Sequence, residues 1–105
     1  MVDLDPVVGS ETGKTRPAVV VQNDLANRSS PTVTVVPITS KTGKVYPFQV
    51  LVPRGEGGLD QQSKVLCEQI RTVARERLGS YLGHLKNQTM REVRVAVDRH
   101  LWFEP

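Results

Sequence analysis

Gly9-Ser10-Glu11-Thr12-Gly13-Lys14-Thr15-Arg16-Pro17 runs straight into Ala18-Val19-Val20-Val21-Gln22-Asn23-Asp24. The first nine residues read as a polar loop, punctuated by glycine, that holds one carboxylate, two cations and several hydroxyls. The apolar run Ala18 to Gln22 that follows is β-branched and reads as a strand. A loop of this composition between two strands can gather opposite charges and backbone N–H groups around one phosphate, with a rigid sheet behind it. A solvated hairpin connection has the same composition. Residue types alone leave both readings open.

Outward from this stretch, the chain continues in short β-like runs. Thr32 to Ile38 alternates Thr32 and Thr34 with Val33 and Val35, the pattern of a half-buried strand. Tyr46 to Val52 is bracketed by Gly43 and Pro53 and reads as a third strand. Pro47 places its start at an edge or bulge, because proline has no N–H for the ladder. Arg54 to Asp60, with Gly55, Gly57 and Gly58, reads as a flexible loop. Val65 to Val73 is mostly apolar and strand-like, and Arg77 to Leu85 supplies another strand or a turn. The period then changes. Met90, Val93, Val97 and Leu101 recur at helical steps, Asn87 is the expected N-cap, and Arg91, Arg94 and Asp98 fall on the solvated side. Strands first and a helix last imply a mainly β (α+β) domain, a compact antiparallel barrel or sheet with helices to one side.

With 105 residues the chain fits one domain, and repeats or low-complexity linkers are absent. Hydrophobic residues make up 38%, enough to build a core, although a small one that dimerisation would extend. A single cysteine, Cys67, excludes an internal disulfide and reads as a small core residue. No apolar run approaches the roughly 18 residues of a membrane helix, and a signal-peptide pattern is missing, so the expected location is cytoplasmic, with no membrane partner. The balance of 14 Lys+Arg against 11 Asp+Glu gives a net charge of +3, a mild bias toward anionic partners. Lys14, Arg16, Arg28, Lys41 and Lys44 fall in or beside expected loops of the first half, as a nucleic-acid footprint would. His84 and His100 are isolated and read as structural or surface residues. With Cys67 also alone, no metal cluster or cofactor site is expected.

Val2-Asp3-Leu4-Asp5-Pro6 through Asp24 resembles the signature of the MazF/PemK/Kid toxins, the ribonuclease half of bacterial type II toxin–antitoxin pairs. Val36-Pro37-Ile38-Thr39-Ser40, Tyr46-Pro47-Phe48-Gln49-Val50 and Val65-Leu66-Cys67-Glu68-Gln69-Ile70-Arg71-Thr72-Val73 resemble further family segments in the same order. The similarity covers nearly the whole chain as one toxin domain, residues 1–105. It implies the small SH3-like antiparallel barrel that these toxins share with the CcdB toxins, carrying a C-terminal helix. Relatives carry an Arg-Gly-Asp-(Val/Ile)-Tyr-Trp type of segment before the Val-Asp-Leu-Asp-Pro stretch, whereas Met1 here immediately precedes Val2. The first strand is therefore expected to be truncated and the sheet edge beside the loop exposed.

The resemblance also implies an activity: sequence-specific, metal-independent cleavage of single-stranded RNA to 2′,3′-cyclic phosphate and 5′-hydroxyl ends. Such a reaction uses the substrate's own 2′-hydroxyl as nucleophile. The enzyme removes its proton, stabilises charge on the phosphate and helps the 5′-oxygen leave. Arg16 matches the family's essential arginine. A guanidinium is permanently charged and forked, suited to phosphate oxygens, so its expected role is charge stabilisation. Thr39 matches the family's threonine, and Glu11 matches an acidic residue of some relatives and is a chemically natural general base. Catalysis is thus expected from Arg16, Thr39 and Glu11. RNA contacts are expected from Lys14, Thr15, Ser40, Lys41, Lys44 and Glu68. Glu68 aligns with an acidic position of Kid-type relatives, but Leu66 stands where they carry an arginine. Tyr46 or Phe48 could stack a base, although strand aromatics are more often core.

Implied partners are RNA, a second copy of the chain in a homodimer, and a cognate MazE-like antitoxin, acidic and partly disordered. DNA is bound only indirectly, through that antitoxin. Two other readings compete. One is a CcdB-like toxin that binds gyrase through the terminal helix around Trp102. The other is a truncated, inactive homologue that still binds antitoxin.

Overall fold

The computed structural model describes residues 6–12, 14–21 and 30–101. Seven strands are formed: β1 (Pro6–Thr12), β2 (Lys14–Val20), β3 (Thr32–Thr39), β4 (Gln49–Val52), β5 (Ser63–Leu66), β6 (Arg71–Ala74) and β7 (Leu78–His84). One helix, α1 (Asn87–Leu101), follows them. All pairings are antiparallel, in the order β4-β5-β3-β2-β1-β7, with β6 also paired to β3. The mainly β architecture with a C-terminal helix agrees with the expectation.

Of the stretch expected to be a polar loop, Gly9–Thr12 and Lys14–Pro17 are instead paired strand. Val7 pairs with Val19, Gly9 with Pro17, Ser10 with Arg16 and Glu11 with Thr15, so ladder pairing reaches almost to the hairpin tip. Pro17 is tolerated opposite Gly9, where a Cβ would lie 3.2 Å from the Thr15 methyl. The other edge of β1 is covered by β7, so this strand is interior.

β3 has both of its faces buried rather than one. Val33 and Val35 pack with Val8, Ala18, Val20 and Val73, whereas Val36 and Ile38 join Val7, Val19, Val65 and the helix residues Met90, Val93 and Ala96. The fully buried side chains are valines and Cys67. Each enclosed valine contributes roughly 1.5–3 kcal/mol by leaving water, and its branched Cβ suits a pleated surface.

Val65 to Val73 is two strands rather than one. A 3-10 turn at Cys67–Gln69, closed by the Ile70 N–H to the Cys67 carbonyl at 3.4 Å, separates β5 from β6. β5 pairs with the end of β3 and with β4, and β6 with the start of β3. Both strands run against β3, but from Ile38–Val65 to Val35–Arg71 three steps along β3 correspond to six along this segment, and the turn takes up the extra residues. It also turns the Cys67 side chain into the core. Burial there, helped by the neighbouring Glu68 charge, pushes the thiol up to about 12, so it stays protonated near neutrality.

Three further expectations change. β4 starts only at Gln49, because Tyr46-Pro47-Phe48 forms the turn before it; β4 is an edge strand, as Pro47 suggested. Arg54 to Asp60 is an ordered turn. Gly55, Gly57 and Gly58 all have positive φ, and a Cβ at Gly58 would overlap the Leu82 carbonyl of β7. On the helix, Thr89, Met90, Val93 and Ala96 are buried, whereas Leu101 is 47% exposed. Asn87 lies inside the first turn, whose opening bond runs from the Met90 N–H to the Lys86 carbonyl at 2.9 Å. The Glu56 carboxylate accepts the Lys86 N–H at 3.1 Å, joining the glycine turn to the helix start. Among the described residues no helix is long and apolar enough to cross a membrane.

Candidate active site

Three pieces of chain meet around one cleft of about 260 Å³. β2 supplies Arg16 and Pro17, the end of β3 supplies Ile38, Thr39, Ser40 and Lys41, and the segment after the glycine turn supplies Leu59, Asp60, Gln61 and Ser63. Pairing of Ala18 with Pro37 sets the two strands side by side, which brings Arg16 toward the Thr39 end of β3. The guanidinium-bearing Arg16 is exposed and Thr39 is half-buried. The Lys41 N–H donates to Thr39 Oγ1 at 3.1 Å. With its oxygen accepting that bond, the Thr39 hydroxyl hydrogen is directed to another acceptor. A phosphate oxygen in the cleft would meet a forked cation, a hydroxyl donor and a second cation, Lys41.

Of the expected residues, then, Arg16, Thr39, Ser40 and Lys41 are gathered at one place. Thr15 is exposed and precedes Arg16 on β2, but it is not among the cleft residues. Glu11 and Lys14 occupy hairpin register positions opposite Thr15 and Thr12; their side chains lie outside the described set. Arg28 and Trp102 also lie outside the described residues. Lys44 and Glu68 are not among the cleft residues. The Lys44 ammonium lies 5.0 Å from the centre of the Tyr46 ring, which stacks on Phe48 with centroids 5.6 Å apart and planes 6° apart. Glu68 Oε2 accepts from Gln49 Nε2 at 2.8 Å, and Oε1 is buried with no hydrogen-bond partner among the described residues. Glu68 is therefore built into the scaffold beside the Tyr46 turn. His84 is an exposed residue of β7 whose Nδ1 lies 2.7 Å from Tyr81 Oη, consistent with a surface role.

Asp60 and Gln61 were not anticipated. Their signal was present in the sequence, since three glycines in four positions mark a reversal that can bring the following residues back to the sheet. Ser63 is buried in the same wall and donates from Oγ to the Gln61 carbonyl at 2.9 Å.

A second, larger groove of about 630 Å³ lies between β4 and α1. Exposed Leu51 and Val95 form apolar surface there, and Arg91 and Arg99 give it positive charge. Catalytic expectations do not fall in it.

Residues 1–101 match the family described as PemK-like, MazF-like toxin of type II toxin-antitoxin system. The chain is 45% identical to Endoribonuclease MazF9 of Mycobacterium tuberculosis, over 95% of this chain and 89% of that one. It is 43% identical to Endoribonuclease EndoA of Bacillus subtilis, over 90% and 83%. Among solved structures it superposes on Mycobacterium tuberculosis toxin MazF-mt6 with a TM-score of 0.82 at 25% identity, covering 90% of this chain and 94% of that one. A mycobacterial endoribonuclease solved in complex with its cognate antitoxin gives 0.83 at 26% identity, with 95% of each chain covered. A match over almost the full length, together with a cleft that joins the Arg16 strand to the Thr39 strand, identifies the chain as a member of the PemK/MazF toxin family of type II toxin–antitoxin systems.

Proposed function

We propose that this chain cuts single-stranded RNA at selected sequences, without a metal cofactor, to leave 2′,3′-cyclic phosphate and 5′-hydroxyl ends. The observation that carries the reading is the convergence of Arg16 and Thr39, from separate strands, on one exposed cleft in a toxin whose relatives are named endoribonucleases. No metal is required because the nucleophile belongs to the substrate. A base takes the 2′-hydroxyl proton, the oxygen attacks phosphorus, and the bond to the 5′-oxygen breaks as that oxygen gains a proton. Arg16 holds the charge that builds on the phosphate, and its N–H groups can also hydrogen-bond the leaving oxygen. Thr39 donates its hydroxyl to a phosphate oxygen. Glu11, next to Ser10 in the strand paired with Arg16, is the proposed base.

Lys14, Thr15, Ser40, Lys41 and Lys44 would bind the backbone of the strand, with Glu68 acting on RNA through the Tyr46 turn. The proposed assembly is a cytoplasmic homodimer of a single toxin domain, held inactive by an acidic antitoxin. Complexes of related toxins with antitoxins, including MazE-MazF of Deinococcus radiodurans, support that pairing.

The test is cleavage of single-stranded RNA in EDTA, with the 5′ ends of the products sequenced and their 3′ ends assayed for cyclic phosphate. Wild type is expected to cut. Removing the cation in Arg16→Ala should lower the rate by on the order of 10³. Undiminished cutting by Arg16→Ala, or cutting that EDTA stops, would sink the mechanism.

A further inference from the structure

Lys64 is the only charged side chain among the described residues that the fold buries, at 8% exposure. It stands in β5 between two neighbours, opposite Thr39 of β3 and Leu51 of β4. Enclosing an ammonium is unfavourable unless its protons meet acceptors, and an apolar residue of similar volume is often as stable. Here Nζ donates to the Lys44 carbonyl at 2.8 Å. That carbonyl belongs to the 41–48 loop, which leaves the catalytic cleft at Lys41.

The loop owes its shape to side chains. Its one main-chain bond outside regular elements, among the described residues, joins the Gln49 N–H to the Tyr46 carbonyl at 2.9 Å. The Tyr46 N–H donates to Gln49 Oε1 at 3.2 Å, and Gln49 is in turn held by Glu68. Lys64 thus grips the loop at Lys44, and the Gln49–Glu68 pair grips it two residues later. Between those grips the loop presents a cation set over Tyr46, with Phe48 stacked on the same ring and Tyr46 43% exposed. Aromatic rings and adjacent cations are the groups that bind single strands, the ring through bases and the cation through phosphates.

We propose that Lys64 is a positioning residue for RNA recognition, fixing the 41–48 loop from within the sheet so that Lys44 and Tyr46 meet the strand in a preset arrangement. This rests on the ribonuclease reading. Lys64 touches no reacting atom, so it should govern binding and sequence choice rather than the chemical step.

Lys64→Met keeps an unbranched side chain as far as Cε and removes the ammonium donor. Three quantities decide the matter: amide hydrogen exchange over residues 41–48, steady-state cleavage, and affinity for an RNA that wild type cuts, blocked by a 2′-O-methyl group at the cleaved nucleotide. Exchange in the loop should quicken by roughly tenfold while core strands stay protected. KM and Kd should rise by about tenfold with kcat within about twofold, and Lys64→Arg, which keeps a donor, should recover most of the affinity. Loop exchange unchanged in Lys64→Met, or a fall in kcat at constant KM, overturns the inference. If Lys64→Met does not fold, Lys64→Val carries the same comparison with a residue suited to a buried strand; a chain that folds with neither overturns a loop-specific role. A wild-type chain that binds no RNA overturns the ribonuclease reading and this inference with it, whereas unaltered exchange overturns the inference alone.

Discussion

The β1–β2 hairpin and the 41–48 loop both bear on the Arg16 cleft, and they are held in opposite ways. Six residue pairs lock the hairpin, from Val7–Val19 to Thr12–Lys14, and β7 and β3 flank it. Arg16 is therefore placed by backbone hydrogen bonds, which are indifferent to most side-chain changes. The loop has no ladder. Lys64, Gln49 and the stacked rings shape it, and each is a single substitution away from being lost. In the proposed mechanism, fixed chemistry sits on the part that the main chain rigidifies, and recognition sits on the part that side chains can retune. Such a division lets a family keep one reaction while changing the sequence it cuts.

The largest test of this contrast is Arg16→Lys. The charge remains and the ladder is untouched, so folding should be unchanged by circular dichroism and melting. The forked donors are gone, and kcat should fall by about 10² with a smaller change in KM. Activity within a few-fold of wild type would show that the hairpin supplies charge alone. A shifted melting temperature would show that Arg16 helps to hold the hairpin, and the contrast would weaken.

Next in size is Tyr46→Ala. Loss of one stacking ring should weaken binding of single-stranded RNA by on the order of tenfold or more, and it also releases the Lys44 ammonium that rests on the ring. Cleavage at saturating RNA should stay near wild type. The set of cut sequences, read by sequencing products from a randomised RNA, should broaden. A collapse of kcat with an unaltered cutting pattern would move Tyr46 to the chemical half of the site.

Ala18 to Val20 and the β3 run were readable in the sequence because β-branched residues dominate both, whereas Gly9 to Thr12 and Lys14 to Pro17 read as loop, since polar residues hide a strand whose partners only the fold supplies. The same local rules identified the helix and its Met90–Val93 stripe. They missed what only tertiary context decides. Cys67 to Gln69 looks as strand-like as its neighbours, and only the change of register against β3 explains the turn there. Gly57 and Gly58 read as flexibility because their contacts, Val7, His84, Leu85 and Leu82, are far away in the chain. Lys64 gave no signal at all. A lysine in a strand reads as solvent-facing until the carbonyl it grips, twenty residues earlier, is folded against it.

The smallest expected effect belongs to Lys44→Ala, and it separates the loop's charge from its shape. The Lys64 bond uses the Lys44 carbonyl, which alanine retains, so the loop should keep its form and its exchange protection. Only the ammonium over Tyr46 is removed. If that cation meets a phosphate of the strand, binding weakens severalfold at low salt, and the slope of log K against log salt should become shallower by about 0.7, the increment for one contact on a single strand. Little difference should remain at high salt, where counterion release contributes less. An unchanged slope would mean that Lys44 serves the Tyr46 ring and not the RNA, leaving the loop's binding to its aromatic face. Accelerated loop exchange in Lys44→Ala would instead show that the cation shares with Lys64 the task of holding the loop, and charge and shape could not then be separated at this residue.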